Sequence, residues 1–148
     1  MSPRAVRATS LVAFLCTAIV LGVAFWLDPD PSGVGTHTQL GLKPCIMLSM
    51  MGLPCPMCGM TTTFALMADL RIMDAFFNQP FGVVLFLVTL VTAIVSAMEI
   101  VYPKDRWKTI VSWLELRKSY FVVLFSVGFF GGWLYKIAVI SEISTGIP

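Results

Sequence analysis

Leu11 to Leu27, Ala75 to Met98 and Ser119 to Tyr135 form three runs without a single charged side chain. Each approaches the roughly 20 residues that a helix needs to cross the hydrocarbon of a bilayer, where every backbone polar group must be satisfied internally. The sequence therefore predicts an all-α membrane protein with three transmembrane helices, over about residues 10–27, 80–101 and 119–140. Composition agrees, since 57% of the 148 residues are hydrophobic and 12% charged, against about a quarter charged in a soluble domain. The third span is completed by Ile137 to Ile140, with Lys136 expected to snorkel its ammonium to the headgroups. A cleaved signal peptide is the competing reading of the first run, given Arg4 and Arg7 ahead of it. The run is long for a signal, however, and Phe25 to Pro31 offers no small-x-small cleavage site. We read the chain, residues 1–148, as a single integral membrane domain.

Basic residues set the orientation, because short Lys- and Arg-rich loops stay on the cytoplasmic side. Lys104, Arg106, Lys108, Arg117 and Lys118 crowd the loop after the second run, and Arg4 and Arg7 occupy the N-terminal tail. The segment between the first two runs holds Lys43 and Arg71 against Asp28, Asp30, Asp69 and Asp74. The N-terminus is thus expected in the cytoplasm, with the intervening segment and the C-terminus on the outer side of a cell inner membrane. A net charge of +2 serves this topology and gives no reason to expect nucleic-acid binding.

That outer segment is the chemically distinctive part. Cys45 to Ala68 is also uncharged, but Gly52, Pro54 and Pro56 break it, and a fourth crossing would turn the basic loop outward. It is expected instead to be a re-entrant or interfacial cysteine-containing segment, about residues 45–77, with a short helix from about Thr61 to Phe76. Asn78-Gln79-Pro80 then opens the second span, proline being tolerated in a first helical turn.

Cys45, Cys55 and Cys58 fall close together there, and three chemistries compete for them. A disulfide could staple the broken turn in an oxidising compartment. With His37, the only histidine, they could bind zinc or another soft metal as a Cys3His set. A Cys-x-x-Cys pair at a helix start could instead exchange disulfides, with Cys45 as third partner, although no strand-turn-helix context accompanies it. Cys16, inside the first span, reads as an apolar filler, as do the methionines around the cysteines. Gly128 and Gly132 form a Gly-x-x-x-Gly face for helix packing, within the chain or between copies. Arg71 and Asp74 are spaced to pair on one helix, and Glu99 is positioned to meet a basic residue of the following loop. No Ser-His-Asp series, phosphate loop or His-Glu-x-x-His occurs, so hydrolase, kinase and metalloprotease chemistry lack their residues.

Gly35 to Cys45, Gly52 to Phe64, Asp74-Ala75-Phe76 and Gln79-Pro80, taken together, resemble the bacterial membrane family of domain of unknown function 2752. Cys45, Cys55, Pro56, Cys58, Gly59, Thr61 and Thr62 match its pattern, which implies that the three cysteines form one site. The chain departs from it near Leu70, where members often have glycine, and at Gln79, where they often have asparagine. The resemblance implies no reaction. The expected role is an accessory or structural membrane subunit whose three-cysteine segment is disulfide-stapled or metal-bound, in contact with lipid and with other membrane proteins or a second copy. The alternative is a membrane thiol-disulfide exchange component.

Overall fold

The structure, a computed structural model, describes the backbone of residues 2–145 and the side chains of residues 2–140. Residues after 145, including the C-terminus expected on the outer side, lie outside the described residues. Among the described residues the chain is helical, without strands, in the order α1 (Pro3–Trp26), α2 (Ile46–Met51), α3 (Met60–Ala68), α4 (Ile72–Asn78), α5 (Pro80–Val101), α6 (Arg106–Leu116) and α7 (Lys118–Thr145). A 3-10 turn, Thr36–Leu40, precedes α2.

Three of these helices, α1, α5 and α7 through Ile140, are long and apolar enough to cross a membrane. Ser2 caps α1 by accepting the Ala5 amide at 3.3 Å, and Pro3 stands in its first turn. Pro80 opens α5, where its missing N–H costs nothing. Side chains such as Val12, Ile19, Val122 and Leu124 point away from the protein, as a lipid solvent requires. Helix α5 is the central one: 28% of its most apolar stretch is buried, against 11% for α1 and α7. It packs along α1 and carries α3 and α4, with α3 against Gly82 near its N-terminal end.

Close approach there depends on Gly82, where an added Cβ would stand 2.9 Å from the Thr63 methyl and 3.1 Å from the Met60 sulfur. Leu66, Met67, Ala75, Val83 and Phe86 bury together, with Phe64 meeting Phe86 edge-on at 5.4 Å. On α7, Gly128 and Gly132 leave room for Phe81 of α5, whose atoms would lie 3.0 and 3.1 Å from their added Cβ atoms. This glycine face is therefore occupied within the chain.

The segment between the first two spans does not cross. Gly52 ends α2 at φ 67, and the chain then runs through Pro54 and Pro56 without helix. Its Pro54 carbonyl, freed from helical bonding, accepts the Trp133 indole at 2.8 Å. That satisfies a group that would be costly in hydrocarbon.

Three differences from the sequence reading have physical causes. The single helix expected over 61–76 is two, because α3 ends in a 6→1 bond from the Arg71 amide to the Leu66 carbonyl at 2.9 Å. That closure places Leu70 in the left-handed region at φ 61, a conformation suited to glycine. The basic loop after α5 contains a helix, α6, whose Trp107, Ile110 and Leu114 border a groove shared with Val84, Val88 and Val95 of α5. Lys136 does not snorkel to the headgroups. It is buried, because the carbonyls of Gly33 and Asn78 and the Asn78 side chain supply acceptors inside the protein.

Glu99 does meet the basic loop. It is fully buried, and one carboxylate accepts the amides of Lys104, Asp105 and Arg106 at 2.9–3.0 Å and the Arg106 guanidinium at 3.0 Å. The turn from α5 into α6 is thereby tied to the end of the span. Arg71 and Asp74 pair on the surface at 2.8 Å.

Candidate functional site: a three-cysteine cluster

Cys45 stands immediately before α2, and Cys55 and Cys58 flank a tight turn closed by the Cys58 amide on the Cys55 carbonyl at 2.9 Å. Pro56 lies inside that turn, and Gly59, at φ 85, reverses the chain into α3. The consequence is convergence: the sulfurs of Cys45, Cys55 and Cys58 all lie within 4.8 Å of one another, as free thiols. Cys16 is remote from them, exposed on α1.

A network of buried polar side chains fixes this turn. Thr36 and Thr62, both sealed, share a hydroxyl bond at 2.8 Å, and Thr36 also accepts the Asp30 amide at 3.0 Å. Asn78, at the end of α4, donates to the Gly59 carbonyl at 3.0 Å and to the Thr63 hydroxyl at 2.8 Å, while its own Oδ1 accepts Lys136 Nζ at 2.6 Å. Gln79, 1% exposed, reaches the Pro56 carbonyl with Nε2 at 3.4 Å, and its Oε1 has no protein partner. The cysteine turn is thus held from the linker, from α4 and from α7 together.

The three thiols are not equivalent. The Leu48 amide directed at Cys45 lowers that thiol to about 7, with the Cys58 and Cys55 thiols also donating toward it. Burial pushes Cys58 up to about 12, and proximity to Cys45 adds to the effect. One negative charge in the cluster is therefore accommodated first at Cys45, which amide and thiol donors surround.

The cluster opens on a cavity of about 660 Å³, bordered also by His37, Met57 and Met60. His37 is not among the converged donors, since its Nε2 lies 3.2 Å from the Lys43 carbonyl. A metal–sulfur distance of about 2.3 Å would place three tetrahedral thiolate sulfurs about 3.8 Å apart, so small side-chain rotations within the observed limit suffice to hold one ion. A disulfide needs two of the sulfurs to close to about 2.05 Å. Sequence reasoning found the cysteines but missed Thr36, Asn78, Gln79 and Lys136. Only Lys136 carried a signal, as an ionisable residue in a spanning helix.

No curated protein and no solved structure matches the chain. Residues 45–93, from the first cysteine of the cluster into the middle of α5, match the family model described as protein of unknown function (DUF2752), to which that segment of the chain is similar.

Proposed function

We propose that the chain is an accessory membrane subunit that holds one soft metal ion, zinc or a comparable cation, between Cys45, Cys55 and Cys58 on the outer face of the cell inner membrane. The convergence of three sulfurs within 4.8 Å carries this reading. A structural staple needs two cysteines, whereas three thiolates around one point suit a tetrahedral soft ion with its fourth position toward the cavity. His37, on the cavity wall, is the nearest imidazole for that position. The orientation rests on the basic residues of the N-terminal tail and of 104–118, with the N-terminus cytoplasmic. Nothing in the site resembles an assembled catalytic centre, so presentation to a partner suits it better than turnover.

The test is metal analysis and thiol counting on protein purified in detergent without chelator or reductant. The reading predicts about one zinc, copper or iron per chain, lost in Cys58→Ser, with all three thiols protected. Two protected thiols without metal would replace it with a staple.

A second reading, thiol-disulfide exchange, is favoured by one observation: any disulfide formed between two of these cysteines leaves the third within 4.8 Å. That third thiolate could attack the bond, displacing one sulfur as thiolate. It predicts a rapidly reacting thiol in the native protein and equilibration with a dithiol of known potential.

A further inference from the structure

A cluster of thiols needs no ammonium beside it, yet Lys136 is 2% exposed and its Nζ is fixed by Gly33 O at 3.1 Å, Asn78 O at 3.3 Å and Asn78 Oδ1 at 2.6 Å. All three acceptors are neutral. A buried cation is costly unless an anion offsets it, and the carboxylates bordering the separate, smaller cavity that Lys136 lines are otherwise engaged. Asp30 accepts from the Ser32 hydroxyl and amide at 2.6 and 2.8 Å, and Asp74 pairs with Arg71. The ammonium also lies against the cysteine turn, whose last cysteine is Cys58. The next residue, Gly59, is so close that an added Cβ would stand 3.0 Å from Nζ.

We infer that Lys136 is the built-in counter-charge of the three-cysteine site, a positioning residue that offsets the negative charge which three thiolates retain around a divalent ion. The inference rests on the metal reading and deepens it. Three thiolates and a divalent cation leave one negative charge, which a single ammonium cancels. An ammonium has no lone pair and cannot be a ligand, so Lys136 acts through space and through the Gly33 and Asn78 carbonyls that it binds. Its location also explains why the third span matters to a site whose cysteines all precede the second. The charge arrives from a helix that contributes no sulfur.

Zinc affinity, measured by competition with a chromophoric chelator on detergent-purified full-length protein, tests this. Lys136→Gln removes the charge but keeps a donor, and is expected to weaken zinc binding about 10- to 100-fold, as loss of an outer partner does at metal sites. Lys136→Arg keeps the charge and is expected to restore affinity to within a few-fold of wild type. Asn78→Asp leaves the lysine in place and sets a carboxylate against it, cancelling its charge, while Asn78→Leu removes the same donors to Gly59 and Thr63 without adding charge and is its control. Weaker binding in Asn78→Asp than in Asn78→Leu is expected, equal losses overturn the inference, and the pair remains informative should Lys136→Gln fail to fold. Unchanged affinity in the charge-cancelling variants overturns the inference alone, and so does a failure of Lys136→Arg to rescue Lys136→Gln. Wild-type protein that purifies without zinc, copper or iron and takes up no zinc overturns the metal reading and this inference with it.

Discussion

Gly59→Ala should destabilise the protein far more than its single added methyl group suggests, and Gly41→Ala provides the comparison. Both glycines are left-handed, at φ 85 and φ 75, so alanine at either pays about 1–2 kcal/mol for its conformation. Around Gly41 nothing lies within 4 Å of an added Cβ. At Gly59 the same atom would stand 2.7 Å from the Gly33 carbonyl oxygen and 3.0 Å from both Cε and Nζ of Lys136. The lysine end can shift, but the Gly33 oxygen is backbone and itself accepts Lys136, so relief at one contact breaks another. Overpacking of this kind adds about 1–3 kcal/mol. Gly59→Ala is thus expected to cost about 2–5 kcal/mol and Gly41→Ala about 1–2 kcal/mol. Reversible unfolding by SDS titration in mixed micelles measures both. Equal losses would refute the reasoning, because they would mean that the linker carbonyl and the lysine do not press on the cysteine turn.

In metal-free protein, alkylation of Cys45 should accelerate about tenfold between pH 6 and pH 8, as a thiol lowered to about 7 passes from mostly protonated to mostly thiolate. Cys58, pushed up to about 12 by burial, should stay slow over that range, which site-resolved mass spectrometry of the alkylated peptides would check. The linked effect on stability has a definite sign: the lowered Cys45 contributes stability that is present above about pH 9 and is lost as pH falls through about 7. Glu99→Ala should destabilise the α5–α6 turn more than Glu99→Gln, which keeps one acceptor oxygen for the Lys104 and Asp105 amides and loses the one that accepts from Arg106, by the same SDS titration. Leu70→Gly should be neutral or stabilising by up to about 1 kcal/mol, since relief of the left-handed strain slightly exceeds the entropy cost of glycine.

Features decided by local sequence were the legible ones. Uncharged runs announce spans, proline and glycine announce the broken segment, and a spacing of three brings Arg71 to Asp74. Glu99 could be paired because its partners follow within seven residues. What the sequence concealed were contacts between distant residues: Thr36 with Thr62, Asn78 with Gly59, and Lys136 with Gly33, which lies 103 positions earlier. The division of the 61–76 helix was also hidden, because leucine at position 70 gives no glycine signal for the turn it makes. The convergence of the three sulfurs was anticipated from proximity and family likeness, but the unequal environments of Cys45 and Cys58 depend on which amides and which apolar neighbours surround each one.

The hold that Trp133 and Lys136 exert on the cysteine turn has a consequence for biogenesis. A ribosome delivers Cys45, Cys55 and Cys58 long before it delivers those two side chains, so the nascent segment reaches the membrane with the Pro54 carbonyl uncapped and the Gly33 carbonyl without its ammonium. Until the last helix inserts, the thiols stand in an unfinished frame. Maturation of the cluster is therefore a post-insertion event, and truncation ahead of α7 would leave every cysteine in place yet deprive the protein of a finished site.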